Sequence, residues 1–169
     1  MTWTTPRRLP QATVRGFTII ELVSCLAIWS LLALAAMPLS ELVVKRQKEQ
    51  ELRRALWEIR GALDAYKRAA DEGRIATSTG DSGYPRSLDL LVDGVVPASS
   101  ASGGSQRLYY LRRIPRDPFF ADPKVPASET WVVRSYASPP TSPQRGADVF
   151  DVFSSANGLG LNGVPYREW

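Results

Sequence analysis

Hydrophobic and polar positions divide the chain into stretches of different character. Positions 1–16 are mixed, with Arg7, Arg8 and Arg15 as their charges. From Phe17 the sequence turns apolar, and 22–40 carries no charged side chain, with Leu, Ala, Ile and Trp29 on every side. At about 1.5 Å per residue that run reaches roughly 28 Å, close to the apolar thickness of a bilayer. The pattern predicts a helix able to cross a membrane once, surrounded by lipid or by neighbouring apolar helices rather than by water. Pro38 removes one backbone donor inside it, so a kink or local melting is expected there.

Beyond Val44 the composition becomes charged, yet Leu52, Leu56, Ile59, Leu63 and Tyr66 recur at helical spacing and form one apolar stripe. Arg53, Arg54, Glu58, Arg60, Asp64, Lys67 and Arg68 lie opposite, as a solvated face on which Glu49 with Arg53 and Asp64 with Arg68 are spaced to pair. Gly73 follows Asp71-Glu72 as a C-cap. The prediction is a single helix from near Phe17 to about Glu72, with 17–44 as its membrane half and 45–72 as its amphipathic half. A stripe that narrow is not stable against water alone, so 73–169 must cover it.

Within 73–169 the elements are short. A small-residue loop over 73–83 leads to Pro85 and a brief helix at 87–92, with Ser87 as N-cap and Asp93-Gly94 as its end. The Ser- and Gly-rich 98–106 reads as a flexible loop. The prolines in 109–119 exclude a regular helix or an inner strand, and Asp117 before Pro118 suits an Asx turn. Positions 131–136 and 148–154 have strand composition, Phe150 and Val152 pointing one way and Val149, Asp151 and Phe153 the other. The Pro-rich 137–147 between them forms a wide loop. The fold class is α+β: a long N-terminal helix packed on a small antiparallel sheet, ending in an irregular loop.

Glu21 is the unusual charge. At a helix start in water a carboxylate complements the free N–H groups, but at the mouth of a membrane segment it is costly and calls for a partner. Arg15-Gly16-Phe17 with Glu21 fifth after the Gly-Phe junction, and Pro38 further along, resembles the prepilin signature of type IV pilins and type II secretion pseudopilins. The resemblance implies a leader 1–16 removed by a prepilin peptidase between Gly16 and Phe17, and methylation of the new Phe17 amine. It implies a type IV pilin-like fold, and a Glu21 that pairs with the Phe17 amine of an adjacent copy in a helical homo-oligomer. The segment 109–119, Tyr109-Tyr110-Leu111-Arg112-Arg113-Ile114-Pro115-Arg116-Asp117-Pro118-Phe119, is similar to one in the major pseudopilins of type II secretion, the protein G family. Membership there implies a structural subunit that polymerises from the inner membrane into a periplasmic pseudopilus driving export of folded proteins. Its partners would be other pseudopilins, the inner-membrane secretion platform and, before assembly, the bilayer. The alternative is a minor or adhesion subunit of a type IV pilus, or a DNA-uptake pseudopilus.

Composition narrows these readings. With 169 residues, 44% hydrophobic, the chain has room for one modest domain beside the membrane segment. Three of the 21 Lys+Arg fall in 1–16, so a chain starting at Phe17 is near balance against 17 Asp+Glu. The basic excess is thus mostly leader charge, which keeps the N-terminus cytoplasmic. No nucleic-acid partner is expected, which weakens the DNA-uptake reading. Ala33-Leu34-Ala35 offers a rival in which an ordinary secretory signal is cut near Ala35, but that leaves Glu21 without purpose.

Cys25, the single cysteine, lies inside the apolar run, so no intrachain disulfide forms. Histidine is absent, which excludes Ser-His-Asp and Cys-His catalysis. The carboxylates Asp89, Asp93, Asp117, Asp148 and Asp151 show no acid/base spacing, and the chain is expected not to be an enzyme. The loop 154–163, rich in Gly and Asn, exposes carbonyls of the kind calcium takes. It resembles the calcium loop of protein G pseudopilins with Asn157 where the family has an aspartate. Asp151 and Asn157 are the side-chain candidates for a structural calcium. The other reading is a glycine-rich turn held by hydrogen bonds and by docking of Tyr166 and Trp169.

Overall fold

The computed structural model describes residues 16–169 apart from 79 and 100–105, and gives 35–39 by backbone alone. The expected leader, except Gly16, and most of the expected 98–106 loop lie outside the described residues. Helix α1 spans Ile19–Asp71 and helix α2 spans Leu90–Asp93, with 3₁₀ turns at Ala127–Thr130 and Tyr166–Glu168. Strands β1 (Trp131–Arg134) and β2 (Asp151–Ser154) form a two-stranded antiparallel sheet in which Trp131 faces Ser154 and Arg134 faces Asp151. The described elements are therefore α+β, a long helix packed on a small sheet. The chain divides into two compact units, Met1–Leu42 and Val43–Trp169.

In the first unit α1 leaves its apolar side chains uncovered: Phe17 is 81% exposed and Trp29 72%. The hydroxyls that interrupt this surface are internally satisfied, Ser24 donating to the Ile20 carbonyl at 2.7 Å and Ser30 to the Leu26 carbonyl at 2.8 Å. Among the described residues no helix is long and apolar enough to cross a membrane. The predicted span over 22–40 includes 35–39, whose side chains lie outside the described residues, and 22–34 alone reaches only roughly 20 Å. The helix runs through Pro38 without interruption, so the expected local melting does not occur. A proline removes one hydrogen bond of the ladder, and the turns on either side hold the helical path.

The second unit is built on the stripe. Leu52, Leu56, Ile59, Leu63 and Tyr66 are all buried, joined by Ala55, Ala62, Ala69 and Ala70. They pack in one core with Leu88, Leu91, Leu111, Trp131, Val149 and Val152. Gly73 (φ 68°) closes the helix: its N–H donates to the Ala70 carbonyl at 3.0 Å and that of Arg74 to the Ala69 carbonyl at 2.8 Å. That pair of bonds is a Schellman motif, which satisfies the last carbonyls of the helix.

Several local expectations are corrected. The short helix starts at Leu90 with Asp89, not Ser87, in the N-cap position, and no side chain caps it. Pro85 instead lends its carbonyl to the Val149 N–H at 2.7 Å, which ties this segment to the sheet rather than to a helix start. The strands are shorter than predicted because Ser135 N–H turns to the Gln144 carbonyl. The alternation predicted over 148–154 fails at its start: Val149 and Val152 are both buried, since regular pairing begins only at Asp151. Glu49 does not pair with Arg53, and Arg60 is not a solvated charge. Both reach into the C-terminal region, and among the described residues of α1 no ion pair joins Asp64 to Arg68, whereas Lys67 pairs with Asp71.

Candidate functional site

The N-terminal segment carries the predicted processing and assembly residues in an accessible arrangement. Gly16, Phe17 and Thr18 precede the first turn of α1, and a Cβ added at Gly16 would meet no atom of the described residues within 4 Å. A peptide bond outside the helix is one that a protease can bind in extended form. Thr18 caps the helix, its Oγ1 accepting the Glu21 N–H at 3.3 Å. The sequence signal for this cap, Thr18-x-x-Glu21, is that of a capping box, and the periodicity reading missed it. Glu21 stands in the first turn with its side chain exposed, in the favourable sense relative to the helix dipole. Pro38 contributes helical backbone, and its side chain lies outside the described residues.

The C-terminal loop is the other candidate site, and its geometry is that of a turn closed from within. Gly160 N–H donates to the Val164 carbonyl and Gly163 N–H to the Gly160 carbonyl, both at 2.9 Å, while Tyr166 N–H donates to the Gly158 carbonyl at 3.1 Å. Glycine is required where the chain passes the aromatic rings. A Cβ at Gly158 would lie 2.8 Å from the Tyr166 ring, and one at Gly160 would run into the Trp169 ring. Tyr166 is buried, stacked on Phe119 with ring centroids 4.3 Å apart and edge-on to Trp169 at 5.2 Å. The docking of Tyr166 and Trp169 is as the sequence suggested.

The predicted calcium side chains are not arranged around a common point of negative charge. Asp151 Oδ1 accepts Arg60 Nε at 2.8 Å, and Oδ2 lies 3.5 Å from Arg134 Nη2. Asn157 is exposed, and among the described residues no group of three His, Cys, Asp or Glu side chains converges. Calcium takes six to eight oxygens, several of them anionic. A carboxylate already neutralised by two guanidinium groups and an exposed amide do not fit that ion. Asp148 is likewise occupied, accepting the Ser135 hydroxyl and the Tyr136 N–H, each at 2.8 Å. Burial alone would raise its carboxyl, but hydrogen bonds from Ser82, Tyr136 N–H and Ser135 outweigh burial and hold it below the usual value.

Asp117 has the structural role that its sequence context suggested. It is buried, and its Oδ1 accepts the Phe119 N–H at 2.9 Å, which is an Asx turn. Its other oxygen accepts the Ser154 hydroxyl at 2.6 Å, which fixes the 109–119 connection against the end of β2.

Tyr166 yields a pH prediction. Burial first, then its hydrogen bond to Glu49 and the charge of that carboxylate, push its phenol from 10.0 up to about 12. The unfolded chain loses this proton near pH 10 and the folded chain keeps it to about 12, so the stability it contributes is complete below pH 10. That contribution should fall away as pH rises from about 10 to about 12. Urea unfolding followed across this range checks it, with Tyr166→Phe expected to lose less stability over the same interval.

A scan against protein-family models, a search of curated proteins and a search of solved structures each find no match.

Proposed function

We propose that this chain is a structural subunit of a type II secretion pseudopilus, made as a precursor and held in the inner membrane with 73–169 in the periplasm. After cleavage between Gly16 and Phe17 and methylation of the Phe17 amine, the mature chain polymerises with copies of itself and with other pseudopilins on the inner-membrane platform. The helical filament pushes folded periplasmic proteins outward. No catalytic step of its own is involved.

The observation that carries this reading is the contrast along one continuous helix. The second half of α1 is amphipathic and its apolar stripe is buried by the chain itself, whereas among the described residues from Phe17 to Leu34 the large apolar side chains are more than half exposed. Apolar surface on all sides of a helix is stable only in lipid or among other apolar helices, and the subunit of a membrane-assembled filament uses both in turn. The prepilin-like Gly16-Phe17 junction, placed before the helix, supports the precursor step.

The mass of the mature protein tests the proposal. The expected result is a chain that begins at Phe17 and carries one added methyl group. A chain that keeps 1–16, or one cut near Ala35, would overturn it.

A further inference from the structure

Three side chains of α1 reach the C-terminal region, and none of them is a simple surface charge. Glu49 is 6% exposed, and its Oε1 accepts the Leu161 N–H at 2.8 Å and the Tyr166 hydroxyl at 3.0 Å. Arg53 places its guanidinium 4.4 Å from the centroid of the Trp169 ring. Arg60 donates to the Val152 carbonyl at 3.0 Å, to the main-chain oxygen of Trp169 at 2.7 Å and to Asp151. These contacts grip the loop at its tip, at its aromatic anchor and where it leaves the sheet.

The grip gathers its oxygens around a side-chain cation. A bound cation would draw main-chain and carboxylate oxygens together, and here the Arg60 guanidinium gathers two main-chain oxygens and the Asp151 carboxylate. The anionic component is Glu49, turned onto the Leu161 N–H and onto a Tyr166 hydroxyl that would otherwise be buried without an acceptor. We propose that Glu49 and Arg60, with Arg53 stacked on Trp169, form a latch that closes the C-terminal loop and makes the fold independent of calcium. The proposed function enters only in naming calcium as what the latch replaces, and the leader mass tests that function separately.

The latch predicts how the full-length chain, purified in detergent, responds to calcium. Its thermal midpoint should be the same in millimolar calcium chloride and in chelator, whereas a bound stabilising ion shifts the midpoint with concentration. Glu49→Met keeps the bulk but removes the acceptor. It should lower the midpoint by about 4–10 °C and speed exchange of the Leu161 amide at least about tenfold, with no recovery on adding calcium. Arg60→Gln is the milder variant and should speed exchange in 158–169 while the core around Ile59 stays protected. A wild-type midpoint that rises with calcium would overturn the proposal. So would a Leu161 amide as protected in Glu49→Met as in the wild type, or, where that variant does not fold, unchanged exchange in Arg60→Gln.

Discussion

Replacing Trp131 with alanine is expected to cost about 3–5 kcal/mol and to bring the second unit close to unfolding at room temperature. Trp131 is 1% exposed and opens β1, where it belongs to the same buried core as the stripe of α1. Its indole Nε1 also donates to the Pro115 carbonyl at 2.8 Å, pinning the proline-rich connection to the sheet. Alanine would leave a cavity the size of an indole and strand that carbonyl, and a two-stranded sheet has no other strand to take up the loss. Trp131→Phe keeps most of the apolar contact and should cost less. Trp57, 82% exposed on the same protein, serves as the control, because its alanine variant should change stability by no more than about 0.5 kcal/mol. Urea unfolding of the three variants gives the comparison, and a Trp131→Ala chain as stable as the Trp57→Ala chain would contradict this account of the core.

The stripe was readable in the sequence because helical periodicity depends only on spacing: each position from Leu52 to Tyr66 that spacing assigned to the core is buried. Gly73 was readable for a comparable reason, since a left-handed residue after the last helical turn is almost a glycine-only position. Glu49 shows what spacing loses when charge is allowed to decide. It stands one helical step before Leu52 on the same stripe, but its carboxylate assigned it to the solvated face. Its partners Leu161 and Tyr166 are more than a hundred residues away in sequence, and no local rule connects them. Arg60 escapes a reading by spacing in the same way, because a guanidinium that serves two main-chain oxygens has no sequence signature. The calcium expectation around Asp151 and Asn157 rests on loop composition and on the resemblance of that loop, and neither reports that Arg60 and Arg134 already hold the aspartate. Val149 was assigned to the wrong face because period-2 alternation holds only where strand pairing is regular, and that begins at Asp151.

Glu21→Ala is expected to leave the chain processed and folded but unable to assemble. The substitution touches neither the Gly16-Phe17 junction nor the second unit. It also spares the helix start, because the bond to Thr18 Oγ1 is made by the backbone N–H of residue 21, which alanine retains. What it removes is the carboxylate alone. In the proposed filament that carboxylate meets the methylated Phe17 amine of the next subunit, and each charge makes the other tolerable among apolar helices. Removing one partner of such a buried pair costs about 3–5 kcal/mol per contact. Repeated at every subunit, a loss of that size should reduce filament yield at least about a hundredfold. Glu21→Gln, which keeps the shape and loses the charge, should fall nearly as far.

The central claim is that Glu21 has its function only between copies of this chain. The direct measurement is the amount of sheared filament from cells producing the wild type or Glu21→Ala at equal levels, with the mass of each protein showing that residues 1–16 have been removed. The account predicts abundant wild-type filaments and almost none from the mature Glu21→Ala chain. Filaments of normal yield from that variant would contradict it.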